Sequence, residues 1–310
     1  MNVKTKGYIF GSIAAATYGM NPLFALPLYN DGMDTDSVLL FRYLFAIPIL
    51  GLMIKSRGRS FAIQRKDIAP LFLLGIMIAL SSLLLFLSYN YMEAGIASTI
   101  LFVYPIMVAL IMALFFKEKI TFQTVLCISL ALGGIALLYQ GDDGSTLSLT
   151  GVLLVLSSSL TYATYIIGVN QSRLKEMATV KLTFYVLIFG ISIFFLRTLT
   201  GEGIQVPNTW YLWGNLVALA LFPTAISFLC TTQAIQYIGS TPTAILGALE
   251  PVTAVFFGVT VFGESFTPRL ATGILLIVTA VSLIVAGGSI TTQLTRFRKL
   301  FPKIIRKVKR

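Results

Sequence analysis

The chain has 310 residues, 56% of them hydrophobic and 11% charged, with a mean hydropathy of +0.87. Soluble domains carry about 25% charged residues, so a water-soluble globular class is excluded and a membrane-embedded one is indicated. The formal net charge is +11 without a single histidine, but the basic residues fall between apolar runs rather than on one folded patch, which argues against nucleic-acid binding.

Ten apolar runs of roughly membrane-spanning length lie near residues 7–28, 36–54, 68–90, 95–116, 123–139, 149–169, 179–199, 210–234, 240–262 and 269–287. Run 1 follows Lys4 and Lys6 and contains Ala14, Ala15 and Ala16, which resembles a signal-peptide cleavage site. It continues to Leu28, however, and is expected to be retained as a helix. Positions three, four and seven apart share a helical face, which places Ala14, Tyr18, Asn21 and Ala25 on one stripe. Run 2 carries Arg42, six residues from the outer end, or roughly 9 Å at 1.5 Å per residue. From there it is expected to snorkel to the headgroups. An arginine also clamps a carboxylate bidentately, so the alternative is that Arg42 and Glu250 together hold an amino-acid zwitterion.

Run 4 has Pro105 near its centre, and run 5 contains the lone Cys127. Run 6 presents Ser158, Tyr162 and Tyr165, and run 8 presents Thr224, Ser227 and Thr231 around a second isolated thiol, Cys230. Such semi-polar stripes avoid lipid and either line a substrate cavity or glue helices together. Run 9 carries Glu250 and Pro251 near its middle. A carboxyl this deep is a candidate proton carrier or an anchor for a substrate amine; the alternative is a hydrogen-bonded tie between helices. The two prolines each remove a backbone donor, so kinks are expected there, with Pro105 and Pro251 as hinge candidates. After run 10, residues 289–310 form a basic tail with Leu294, Phe297, Phe301, Ile304 and Val308 at helical spacing. It is expected to lie on anionic lipid of the cytoplasmic leaflet.

Two segments, YPIMVALIMALFFKEKIT (Tyr104–Thr121) and EPVTAVFFGVTVFGESFT (Glu250–Thr267), are copies at a constant offset of 146 residues. Pro105, Glu118 and Thr121 map onto Pro251, Glu264 and Thr267, and Ser81 maps onto Ser227. At an offset of 144, Gly7 and Tyr18 map onto Gly151 and Tyr162. The chain is therefore an internal repeat, with units 1–145 and 146–288 and a tail 289–310. Five spans per unit is an odd number, so the second copy must be inverted. Inverted repeats are characteristic of secondary transporters, with the substrate site near the midplane.

Lys4 and Lys6, the 55–67 loop, Lys117, Arg173, Lys175, Lys181 and the tail all fall on one side. Positive residues collect in the cytoplasm. Both termini are thus expected inside, in the cytoplasmic (inner) membrane, with Asp142 and Asp143 outside. The cysteines offer no zinc or haem ligand set, and no Walker-type phosphate loop is present. No cofactor and no metal are expected, nor an enzyme.

These repeats, the runs AGIASTI (Ala94–Ile100) and GSTPTAI (Gly239–Ile245), and LEPV at Leu249–Val252 resemble the drug/metabolite transporter superfamily in its ten-helix, EamA-type branch. That resemblance implies an all-α basket of ten transmembrane helices in two inverted five-helix repeats, with the cavity framed by helices 1, 3, 4, 6, 8 and 9. It further implies the movement of small metabolites, amino acids or drugs, with export as the direction; the protein itself is expected to be a monomer or homodimer. Small multidrug-resistance members carry a glutamate in helix 1, where this chain has Tyr18 and Asn21, so quaternary-cation export by that scheme is not expected. The reading is a secondary transporter of amino acids or related compounds, working by alternating access. A lipid-carrier flippase of the same superfamily and a membrane-embedded lipid-metabolising enzyme are the alternatives.

Overall fold

The structure, a computed structural model, describes residues 2–92, 94–118, 120–138, 148–201, 203–261 and 271–280, with Pro268 and Leu283. Asp142, Asp143, Glu264 and the basic tail lie outside the described residues. No strand occurs among the described residues. A chain this apolar must satisfy every backbone N–H and C=O within itself, and the helix does so locally.

The first half contains α1 (Val3–Tyr18), α2 (Asn21–Asn30), α3 (Thr35–Ser56), α4 (Arg65–Ser88), α5 (Ala94–Leu101), α6 (Tyr104–Phe116) and α7 (Phe122–Leu138). The second contains α8 (Leu149–Gln171), α9 (Thr179–Thr200), α10 (Trp210–Ala220), α11 (Ser227–Ile238), α12 (Ser240–Leu246) and α13 (Leu249–Val261), followed by α14 (Ala271–Ala280). Among the described residues, seven stretches are long and apolar enough to cross a membrane, and α6, α14 and residues 122–134 of α7 are shorter apolar helices. Local chemistry sets several ends. Asp34 caps α3 by accepting from the Ser37 amide at 3.1 Å, and Ser148 caps α8 by accepting from Gly151 at 3.4 Å.

Several apolar runs are not single α-helices. The first turns at Gly19 and Met20 between α1 and α2, the fourth at Phe102 and Val103 between α5 and α6, and the ninth at Gly247 and Ala248 between α12 and α13. Leu221–Ile226, around Pro223, is a π-helical turn joining α10 to α11. Pro105 and Pro251 accordingly do not kink the middle of continuous helices, as expected from sequence. They occupy the second position of α6 and the third of α13, where the first turn has no intrahelical partner for an N–H to lose.

Packing pairs α1 with α11, α4 with α8 and α9, and α3 with α9. Small residues allow close crossings. A Cβ on Gly75 of α4 would sit 2.7 Å from the Val186 carbonyl oxygen of α9, and one on Gly190 would sit 2.9 Å from that of Gly75. Large side chains such as Leu114, Phe115, Leu149 and Leu196 point outward. On a soluble protein so much exposed apolar surface would be a liability; here it faces lipid.

Candidate substrate site at the helix breaks

The three broken helices meet at the centre. At Gly19, a Cβ would run into the backbone carbonyl of Glu250, and at Gly247 it would run into the Tyr104 hydroxyl. The absence of side chains at these two bends lets α1–α2, α6 and α13 converge. Between them lies a cavity of about 10 Å³ lined by Tyr18, Asn21, Leu85, Tyr89, Ser98, Leu101, Glu250 and Ala254 among others. That volume holds about one water molecule, so the site is closed around its polar groups.

An aromatic cluster adjoins it through Tyr18. The rings of Tyr18 and Tyr162 stack at 6.1 Å with an interplanar angle of 8°, and Tyr162 stacks on Tyr165 at 6.4 Å and 9°. Tyr104 meets Tyr162 edge-on at 4.8 Å. Helical spacing explains why Tyr162 and Tyr165 share a face of α8. The Tyr165 hydroxyl is buried with no protein partner.

Glu250, in the first turn of α13, is 9% exposed. Tyr104 donates to its Oε1 across 3.5 Å, a long and therefore weak hydrogen bond. Asn21 is 2% exposed, and neither its amide nitrogen nor its oxygen has a protein partner. Leaving a buried donor or acceptor unpaired costs about 1–3 kcal/mol per group, a cost natural cores avoid unless a ligand or a second conformation meets it.

Arg42 corrects the sequence reading. It does not snorkel; it is completely buried. Its Nε donates to Thr224 Oγ1 at 2.5 Å and its Nη2 to the Pro223 carbonyl at 3.2 Å, both on the π-helical turn. The guanidinium lies 5.3 Å from the ring centroid of Phe86, 5.8 Å from that of Phe228 and 6.0 Å from that of Tyr18. Its Nη1 has no protein partner. Arg42 and Glu250 are thus both interior, with Tyr18 in reach of one and sharing a cavity wall with the other.

The hydroxylated stripes divide between roles. Ser227 donates to the Ala14 carbonyl at 2.9 Å, and Ser158 to that of Ser81 at 2.7 Å, so both join helices. Thr224 holds Arg42. Tyr89 and Ser98 as cavity residues, and Tyr104 as the partner of Glu250, were missed by sequence reasoning. The signal for Tyr104 was present, since it is the repeat partner of Glu250 at an offset of 146. No group of three or more His, Cys, Asp or Glu residues fit for a metal ion occurs among the described residues.

Among the described residues the protein is a helical membrane bundle with polar groups in its interior, and sequence relationships say which class of membrane protein it is. Residues 5–140 and 149–286 each match the EamA-like transporter family. The chain belongs to that family, within the drug/metabolite transporter superfamily, and is a multi-pass membrane transporter. The uncharacterized transporter YcbK of Bacillus subtilis is 23% identical over 83% of this chain and 86% of its own length. YdfC of the same organism, also an uncharacterized transporter, is 26% identical over 76% of each chain. The uncharacterized transporter sll1319 of Synechocystis is 27% identical, covering 80% of this chain and 78% of its own. A solved crystal structure superposes with a TM-score of 0.75 at 18% identity, over 90% of this chain and 96% of that one, a likeness of fold.

Proposed function

We propose that the protein is a secondary transporter of amino acids or related zwitterionic metabolites, working by alternating access through the central site. The observation that carries this reading is a set of poorly matched interior polar groups: both amide atoms of Asn21 and the Glu250 carboxyl on the cavity wall, the latter held among the described residues by a weak bond from Tyr104, and Arg42 Nη1, whose guanidinium lies 6.0 Å from the ring centroid of the wall residue Tyr18. A substrate carboxylate suits Arg42, an ammonium suits Glu250, and Asn21 can donate to one and accept from the other. The stacked tyrosines supply contact area and hydroxyls. Export as the direction rests on the family resemblance.

The architecture proposed is ten membrane helices in two inverted five-helix repeats, 1–145 and 146–288. Contacts between equivalent positions support it. Tyr18 stacks on its equivalent Tyr162, and Tyr104 bonds its equivalent Glu250. The Ser227 bond to Ala14 repeats the Ser81–Ser158 junction in the other half. With the cavity closed to about 10 Å³, the bends at Gly19, Phe102–Val103 and Gly247 are where opening would occur, with Pro105 and Pro251 fixing the starts of the moving half-helices. By the distribution of positive charge, both termini and the 55–67 loop are assigned to the cytoplasm and the membrane to the inner, cytoplasmic one.

Thermal unfolding of the purified protein against a panel of amino acids, drugs and lipid head groups tests the substrate class, because a ligand that binds only the folded state raises the midpoint. Stabilisation by one or more zwitterionic amino acids is expected. Stabilisation by lipid head groups alone would replace this reading with the flippase.

A further inference from the structure

A second recess is lined by residues other than those of the central site. It measures about 300 Å³ and opens where α3 and α11 end and α9 begins. Arg57, Arg59 and Lys175 line it together with Glu176, over a floor that includes Thr179, Gln233 and Gln236. That volume is at the small end of ligand pockets, and the lining carries a net charge of two positive.

The floor is rigid. Thr179 Oγ1 lies 2.8 Å from Gln236 Oε1 and 3.0 Å from Gln233 Oε1, and Gln236 Nε2 donates to the Met177 carbonyl at 2.8 Å. Gly58, with φ of +61°, turns the chain in a conformation that favours glycine, so that Arg57 and Arg59 flank the same mouth. Neither they nor Lys175 pair with a carboxylate among the described residues.

A cation just past the end of α3 complements that helix dipole and needs no ligand. The same recess, however, also holds the start of α9, whose cap residue Ala178 has no side chain to accept from the first amides. A helix N-terminus disfavours cations and favours anions. Three basic side chains and one carboxylate surround that N-terminus, leaving the recess a net positive charge that an anion would balance.

We infer that this recess binds a phosphate-type anion, either the headgroup of an anionic phospholipid or a free phosphate group, as a site separate from the transport pathway. The basic fork supplies charge-assisted donors, the α9 amides add their partial positive charge, and the glutamine–threonine floor fixes the depth.

The experiment is native mass spectrometry of the full-length protein in neutral detergent, titrated with short-chain phosphatidylglycerol or with phosphatidylcholine of the same chain length. Inorganic phosphate serves as competitor. The wild type is expected to prefer phosphatidylglycerol by about tenfold or more, the scale of a few interfacial cations. The combined Arg57→Gln, Arg59→Gln and Lys175→Gln variant should lose that preference, whereas the combined Lys55→Gln, Arg65→Gln and Lys66→Gln variant, which removes as many positive charges outside the recess, should keep it. Displacement by phosphate assigns the site to soluble phosphate groups, and persistence of lipid in its presence assigns it to the headgroup. Equal affinity for both lipids together with no phosphate binding, or equal loss in both variants, overturns the inference. Should the combined variant not fold, Lys175→Gln alone carries the comparison.

Discussion

Glu250 is the residue at which a structural and a functional role separate most cleanly. An amide at this position still accepts from Tyr104 but cannot ionise. Glu250→Gln is therefore expected to insert normally and to lose both concentrative transport and its pH dependence, read in proteoliposomes across a pH series and normalised to inserted protein. Wild-type rates with an unchanged profile would leave Glu250 as a tie between α13 and α6. For the aromatic cluster, Tyr18→Ala and Tyr162→Ala each remove one ring of the stack and should raise the apparent KM by about tenfold, the worth of 1–1.5 kcal/mol of aromatic contact. Protein abundance should change less. The stripe of Tyr18, Asn21, Tyr162 and Tyr165 was legible from helical spacing, and Glu250 from its depth. Arg42 was legible only as a residue: its distance from the helix end permits snorkelling, and what decides against it is the π-helical turn whose bonding residues lie 181 and 182 positions further on. That turn offers Thr224 and the Pro223 carbonyl, and nothing in the local sequence around Arg42 announces it.

At the scale of elements, the breaks are the feature most closely tied to function. Pro105 and Pro251 sit in the first turns of α6 and α13, so they define where a new helix starts without sacrificing a bond. Replacing each with alanine permits the helix to continue through Phe102–Val103 or Gly247–Ala248. Pro105→Ala and Pro251→Ala are expected to lower the transport rate while leaving the thermal midpoint unchanged or slightly raised, measured as turnover and unfolding on the same preparations. A rate equal to wild type in both would mean that the bends only shape the packing. Gly247→Ala acts differently, because its Cβ meets the Tyr104 hydroxyl. Overpacking there should destabilise the protein by about 1–3 kcal/mol, measured by thermal or denaturant unfolding in detergent, with partial recovery in the Tyr104→Leu background. Sequence periodicity located the apolar runs, since length and hydropathy are strong signals. It did not resolve the interruptions, because a glycine or proline within an apolar run is compatible with a kink, a close crossing or a break. Only the packing of Tyr104 and Glu250 against the bends selects the last.

For the whole molecule, the sequence carries the repeat more openly than the coordinates do. A constant offset of 146 residues links Pro105 to Pro251 and Tyr104 to Glu250, and the family matches twice along the chain. Seven described stretches reach membrane-spanning length, and breaks or bounds shorten the others. Orientation follows from charge, and labelling tests it. With Cys127 and Cys230 replaced, Ser60→Cys should react with impermeant reagent only after the cytoplasmic face is opened, and Asn208→Cys should react in intact cells. The reverse pattern would invert the orientation without altering the fold.

The most direct test of the central claim is saturable uptake of labelled amino acids by proteoliposomes containing the purified protein, run beside Arg42→Gln and Glu250→Gln at matched protein density. Saturable flux of at least one zwitterionic amino acid is expected in the wild type, competed by its unlabelled form and lost in both variants. Absence of saturable flux for the whole amino-acid panel, or flux undiminished in both variants, would contradict the claim.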